Sequence, residues 1–451
     1  MQKSLIAALL AGVFLSPGAG AADLIQVYQQ ALANDAVYAS ARASQQAGLE
    51  RVPQGKAGLY PDIVGSASIT RNMGNTVSGV GQVLTDANGD TQVINTSSAN
   101  YTRKQYGISL TQPLFRWDRW QTYQQSKLQQ SISEAQFAQA QQDLITRVAQ
   151  AYFDVLSAQD TLESTRSQKS AVTEQLASAK RNFEVGTQTI TDTHEAQAAY
   201  DLVISQEFAA SADLENRRSA LLAIVGGDTV ALAPLRAGVA LASPSPAAIE
   251  PWLSAAQTQN YGVTVGELSL ESAKRDIERN RAGHLPTLDL VASHGRALNN
   301  GEVYNTARTT GNAIGVQLNV PIFSGFAVTS RVRESIALED KARNDLESTR
   351  RNAVLGVRQA YLGVNSGLAQ VKALEAAEIS SQSALDSNKL GYQVGVRINI
   401  DVLNAQRQLF STQTDLARAR YNTIMSGLRL KAAAGSLRES DLVPVNALLV
   451  R

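Results

Sequence analysis

Two periods of apolar and polar positions alternate along this chain, and they predict two kinds of element. Val354, Val357, Tyr361, Val364, Leu368 and Val371 recur at alternating spacings of three and four, the seam of a left-handed coiled coil. About 209 residues earlier, Ile145, Val148, Tyr152, Val155, Gln159 and Leu162 keep the same spacing and are apolar at all but Gln159. No proline interrupts residues 117–183 or 325–390, so the pattern predicts two helices, each roughly 100 Å long at the helical rise per residue. Such a rod cannot fold around its own core and buries its stripe only against neighbouring helices. Shorter amphipathic helices are predicted at about 23–58, 192–225, 247–283 and 401–433, rich in Ala, Gln, Arg and Leu.

The second period is two. Ile63, Gly65, Ala67 and Ile69 alternate with Val64, Ser66, Ser68 and Thr70, and Tyr106, Ile108 and Leu110 alternate with Gln105, Gly107, Ser109 and Thr111. Later, Leu288, Leu290 and Ala292 face away from Asp289 and Ser293, and Ile314, Val316, Leu318 and Val320 face away from Gly315, Gln317 and Asn319. One apolar and one polar face is the pattern of a barrel strand with lipid outside and water inside, although it also describes half of a soluble antiparallel hairpin. Residues 72–104 and 297–311, rich in Gly, Asn, Ser and Thr, read as exposed loops between the members of each pair. Pro61 and Pro286 open the outgoing strands, and Pro113 and Pro321 mark the return toward helix. Phe115, Trp117, Trp120, Phe323 and Phe326 gather at the returning ends, where an aromatic belt would lie.

The same order of elements occurs twice. Gln112–Phe115 matches Val320–Phe323, Gln150–Phe153 matches Gln359–Leu362, Phe183–Gly186 matches Tyr392–Gly395, Ala196-Gln197 matches Ala405-Gln406, and Gly226 matches Gly435. Offsets of 208 or 209 residues across five places imply a duplicated unit. The expected organisation is a signal peptide at 1–21, a first repeat at 22–225 (strands about 63–72 and 105–115, helix about 117–183), a Pro/Ser-rich linker at 226–251, a second repeat at 252–435 (strands about 287–296 and 312–323, helix about 325–390) and a C-terminal segment at 436–451. The leader is read from Lys3, the short apolar stretch Leu5 to Leu15 and the small residues Ala19-Gly20-Ala21.

Composition narrows the function. The 451 residues are 44% apolar and 18% charged, and removing the leader leaves 40 positive and 40 negative side chains, so no net field attracts nucleic acid. Downstream of residue 22 no apolar run reaches the eighteen or so residues of a membrane helix, so any membrane span must be a closed β-barrel. Four strands are too few to close one, whereas three copies supply twelve, an even number as bacterial barrels require. There is no cysteine for thiol chemistry or a lipid anchor. His194, His284 and His294 lack metal-ligand spacing, and no nucleophile elbow, Walker loop or dinucleotide fingerprint follows a strand, so neither an enzyme nor a metal or cofactor is expected. The rival reading is a soluble secreted helical scaffold or adhesin-like stalk.

Asp23-Leu24-Ile25-Gln26-Val27-Tyr28, Leu59-Tyr60-Pro61, the stretch Gly283 to Leu290 and two Val-Gly-x5-Asp segments together resemble the TolC family of outer-membrane efflux and secretion ducts over essentially the whole mature chain. The resemblance implies a homotrimer whose twelve-stranded barrel lies in outer-membrane lipid and continues into a long periplasmic α-helical barrel. It implies docking to a periplasmic adaptor (membrane fusion) protein and to an inner-membrane ABC or RND-type transporter, for type I protein secretion or multidrug efflux. It places the docking tips at Val185, Gly186, Val394 and Gly395, and a periplasmic gate at Tyr392 and Arg397 reaching Thr191 and Asp192. Its acidic constriction falls on Asp401, while the companion position one turn on is Asn404. Read without the resemblance, Asp192 and Asp401 are also placed to cap the outgoing helices.

Overall fold

The computed structural model describes residues 21–85, 87–98, 101–227, 231–301 and 307–450. The expected leader therefore lies outside the described residues except for Ala21. The elements run α1 (Leu24–Asn34), α2 (Ala36–Leu49), α3 (Arg51–Ala57), β1 (Asp62–Asn72), β2 (Asn75–Thr85), β3 (Thr91–Ser98), β4 (Tyr101–Phe115), α4 (Trp117–Glu184), α5 (Ile190–Val225), α6 (Glu250–Thr258), α7 (Tyr261–Arg281), β5 (Thr287–Gly301), β6 (Ala307–Asn319), α8 (Ala327–Gln393), α9 (Asn399–Ala433) and α10 (Leu442–Asn446). They form two compact units, one from Met1–Ser44, Ala135–Val265 and Glu347–Arg451, the other from Gln45–Glu134 and Gly266–Leu346.

The second unit carries an antiparallel sheet in the order β1-β4-β5-β6. Its register puts Ile63, Leu110, Ala292 and Ile314 in one row on one face, and Asp62 with Thr111, or Ser293 with Ala313, on the other. Ile63, Ile108, Ile314, Val316 and Leu318 are all exposed on the apolar face. Beside the sheet, Arg116 donates two hydrogen bonds, 3.0 and 2.7 Å, to the buried Asp289 carboxylate, tying the start of α4 to β5. Helix α3 lies close against α4 at Gly55, where a Cβ would fall 2.3 Å from Ser126 Oγ.

Three expectations change here. Residues 72–104 are not a loop: β2 and β3 form a separate two-stranded antiparallel sheet, and β4 begins at Tyr101. Strand β5 runs to Gly301 and β6 starts at Ala307, so most of 297–311 is strand too. A Gly- and Asn-rich composition reads as a turn, yet alternating Val, Leu, Ile and Thr within it suffice for an antiparallel ladder. The helices foreseen as 23–58 and 247–283 are broken, the first at Asp35, whose Oδ1 accepts from Tyr38 N at 2.6 Å, the second at Asn260, whose Oδ1 accepts from Gly262 N and Val263 N. Short polar side chains that bond the backbone ahead of them start a new helix rather than continue the old one.

In the first unit the middle of α4 is buried on more than its seam: Ile145, Val148, Tyr152, Val155 and Leu162 are joined by Leu144, Ala149, Phe153 and Leu156. They pack with Leu24, Val27 and Tyr28 of α1, Leu214 and Leu221 of α5, and Tyr421, Met425 and Leu428 of α9. The stripe of α8 is buried only at every second position, Val357, Val364 and Val371. Tyr152 donates its hydroxyl to Ala233 O at 2.8 Å, and Arg147 makes two hydrogen bonds to the buried Asp35 carboxylate at 3.0 and 3.1 Å. Tyr421 stacks on Phe153, ring centroids 5.6 Å apart, and donates to Asp160 Oδ2 at 2.6 Å.

Burial raises the Asp160 carboxyl above the usual carboxylate range, with the Tyr421 hydrogen bond pulling the other way and Glu163 adding to the rise. Folding therefore binds the proton more tightly, so stability falls as pH rises from the unfolded to the folded value. Asp160→Asn should raise the melting temperature of the detergent-solubilised protein at about pH 7.5, the gain narrowing toward about pH 4. A variant less stable than the parent at neutral pH would show that the ionised carboxylate is a net asset.

Candidate functional site

The site expected from sequence lies where α4 turns into α5 and α8 into α9, within one unit. Both turns start with a glycine in the left-handed region, Gly186 at φ 78° and Gly395 at φ 80°. Thr187 N donates back to Asn182 O at 2.9 Å and Val396 N to Gly391 O at 2.9 Å, closing the last helical turns. Val185, Val394, Val396 and Ile398 stand exposed around these turns. Exposed valine and isoleucine on a tight turn form an apolar tip.

The aspartates do not occupy the N-cap position. Thr189 is the cap of α5 and Asp192 is its third helical residue, accepting from Thr189 N at 3.1 Å and from Thr189 Oγ1 at 2.8 Å while its own N–H bonds Thr189 Oγ1. This is a reciprocal capping box. Ile398 precedes α9 and has no capping side chain, and Asp401 pairs instead with Arg397 at 3.6 Å. Gly391 makes room for that arginine, since a Cβ there would lie 2.7 Å from Arg397 Cγ. An acid in the first turn also complements the partial positive charge of the helix start.

Within the chain the two repeats meet through other partners than the expected ones. Gln188 donates its amide to the Tyr392 hydroxyl, in a short hydrogen bond, so Tyr392 reaches the first repeat at Gln188 rather than at Asp192 or Thr191. Arg397 is directed to Asp401 of its own repeat. The direct link to Asp192 comes from Asn399, which is fully buried, donates to Asp192 O at 3.1 Å and accepts from Gln175 Nε2 at 2.6 Å. Asp401, Asn404 and Arg397 line a groove of about 520 Å³ between α8 and α9.

Sequence reasoning missed Asn399, Gln175 and Gln188. A signal was present: Asn399, Gln406 and Thr412 are polar residues at buried positions of α9, interleaved with Val402, Leu403, Leu409 and Leu416 at helical spacing. A polar residue in such a seam fixes register at some cost in stability.

The model for the outer membrane efflux protein family matches residues 27–227 and 252–436, one span in each repeat. The chain is 34% identical to the outer membrane protein TolC of Vibrio cholerae, over 96% of this chain and 95% of that one. It is 32% identical to the alkaline protease secretion protein AprF of Pseudomonas aeruginosa, over 96% and 89%. Among solved structures it superposes on a membrane protein from Pseudomonas aeruginosa with a TM-score of 0.78 at 20% identity, covering 94% and 93% of the two chains. The Campylobacter jejuni CmeC outer membrane channel gives 0.77 at 19% identity, covering 95% and 90%. With both repeats matched, and with four barrel-type strands and two long helices in place, the chain belongs to the outer membrane efflux protein family.

Proposed function

We propose that three copies of this chain form an outer-membrane duct for protein secretion and efflux of small compounds, held shut at its periplasmic helix tips. One observation carries the trimer: the four-stranded sheet ends in β1 on one side and β6 on the other, and the helix-proximal rows of one face are apolar. Unpaired strand edges are not tolerated in lipid, so the sheet closes only against further copies, and three of them give an even twelve.

The duct needs no reaction. It carries solute past lipid and stays closed until an inner-membrane transporter and a periplasmic adaptor engage it, the adaptor meeting the apolar tips at Val185, Gly186, Val394 and Gly395. Tyr392 with Gln188, and Arg397 with Asp401, hold the tips through exposed or half-exposed contacts worth about 0 to 1 kcal/mol each. Contacts this weak bias a gate while leaving it openable by a partner that binds the open form better. Three-fold symmetry would bring three Asp401 carboxylates toward one axis, with the neutral Asn404 one turn on keeping the charge there modest.

Removing these contacts should favour the open state. Tyr392→Phe and Arg397→Ser should each raise single-channel conductance in planar bilayers; closed-state conductance unchanged in both would count against the gate. Failure of the parent protein to form any channel, together with solubility without detergent, would favour the soluble scaffold instead.

Asn399→Ala is a second and separate test. It leaves the Gln175 amide and the Asp192 carbonyl without their partner, at about 1–3 kcal/mol. Amide hydrogen exchange at residues 188–194 should accelerate by a corresponding factor, while residues 144–156 in the middle of α4 stay protected. Unaltered exchange at the tip would remove Asn399 from the account.

A further inference from the structure

The register of the β1-β4-β5-β6 sheet places its charges where neither the duct nor the gate uses them. On the apolar face the rows climb from the helix-proximal end through Leu288 and Leu318, Leu290 and Val316, then Ile63, Leu110, Ala292 and Ile314. Above Ile108 and His294 the face changes character. The next row sets Ala67 beside Tyr106, Arg296 and Thr310, the one after it Ile69 beside Lys104, Leu298 and Arg308, and Arg71 stands beside Thr102 one row further. All the acids of these four strands, Asp62 and Asp289, lie on the opposite face at the helix-proximal end.

Height decides what the cations meet. At about 3.3 Å per residue and a tilt near 40°, Arg296 stands roughly 20 Å above Leu288 and the Lys104–Arg308 row roughly 25 Å above it. That is the outer edge of a lipid-facing band about 25 Å tall. With strands about 4.8 Å apart, Lys104 and Arg308 flank β5 at roughly 10 Å, and Arg296 sits between them one row lower. Lys104, Arg308 and Arg71 are exposed, and the Arg296 Nε is buried without a hydrogen-bond partner among the described residues. No ion pair among the described residues engages any of the four.

We infer that Lys104, Arg296 and Arg308, with Arg71 above them, bind the phosphate groups of an acylated, phosphorylated sugar lipid in the outer leaflet. The patch is continuous with the apolar band, so acyl chains lie on Ile108, Ile314 and Val316 while the headgroup reaches the cations. Guanidinium forks suit phosphate oxygens, and Tyr106 in the Arg296 row supplies a hydroxyl at the same depth. The inference rests on the membrane duct proposed above.

Arg103 provides the control. It is adjacent to Lys104 in sequence, carries the same charge at the same height, and pairs with Thr70 and Asn299 on the opposite, polar face. Full-length trimer in detergent is titrated with diphosphoryl lipid A, its dephosphorylated form, phosphatidylglycerol and inorganic phosphate, and retention is read by native mass spectrometry. The Lys104→Gln, Arg296→Gln, Arg308→Gln triple variant should weaken diphosphoryl lipid A binding by about tenfold or more, and Lys104→Gln alone by about fivefold. Arg103→Gln should leave it unchanged.

Equal retention by the triple variant, an equal loss in Arg103→Gln, or parent binding to phosphatidylglycerol or the dephosphorylated lipid as tight as to diphosphoryl lipid A would overturn the site. So would displacement of the lipid by inorganic phosphate at comparable concentration. If the triple variant does not assemble, the single variant and the ligand series decide alone. Insertion into liposomes is measured in parallel. A parent that inserts but shows no preference defeats only the lipid site, whereas one that does not insert defeats the membrane reading itself.

Discussion

A backbone N–H or C=O in hydrocarbon has no water to turn to, and that constraint shapes this chain more than any other. Each repeat gives two strands to the larger sheet, so one chain makes a four-stranded sheet whose edge members, β1 and β6, pair on one side only among the described residues. A self-sufficient barrel would need more strands; a soluble sheet would not leave Ile63, Ile108, Ile314, Val316 and Leu318 exposed on a single face. Sharing the wall between copies satisfies both conditions.

The helical part follows from the same economy. Two helices of 68 and 67 residues cannot each enclose a core, and their stripes are buried unequally, that of α4 densely and that of α8 at every second position. The half-buried Val354, Tyr361 and Leu368 between the buried valines are surface available to neighbours. Toward the tips polar residues enter an otherwise apolar seam, with Asn399, Gln406 and Thr412 buried in α9 among Val402, Leu403 and Leu409. Asn399 holds its neighbours through directional bonds of about 1 kcal/mol each rather than through area, which suits a segment that opens.

Much of this was legible in the residues. The three-and-four spacing fixed both long helices because nothing but a neighbouring helix can bury so regular a stripe, and the alternation fixed which residues of each strand share the apolar face. The long hairpin of β2 and β3 was missed because Gly74, Gly79, Gly81 and Gly89 punctuate it as turns do, and the ladder is set by pairing rather than by composition. Breaks at Asp35 and Asn260 were missed because a short polar side chain inside a helical pattern is neutral until its backbone partner is known. At the tips the aspartates were located but not their partners: whether Asp192 answers to Thr189, Arg397 or Asn399 depends on side-chain reach across two hairpins, which spacing does not encode.

The shared wall can be tested directly because the chain has no cysteine of its own. A cysteine at Val64 in β1 is combined in turn with one at Gly315 or Gln317 in β6, residues on the polar face at the two open edges. Where the pair lies in register across two copies, the disulfide forms readily, since edge-paired strands bring Cα atoms within bridging distance. Oxidation of the membrane-embedded protein should then give a covalent trimer on a denaturing gel, collapsing to monomer with reductant. Monomer alone for every pair, under oxidation that crosslinks a control pair within one chain, would contradict a barrel wall built from neighbouring copies.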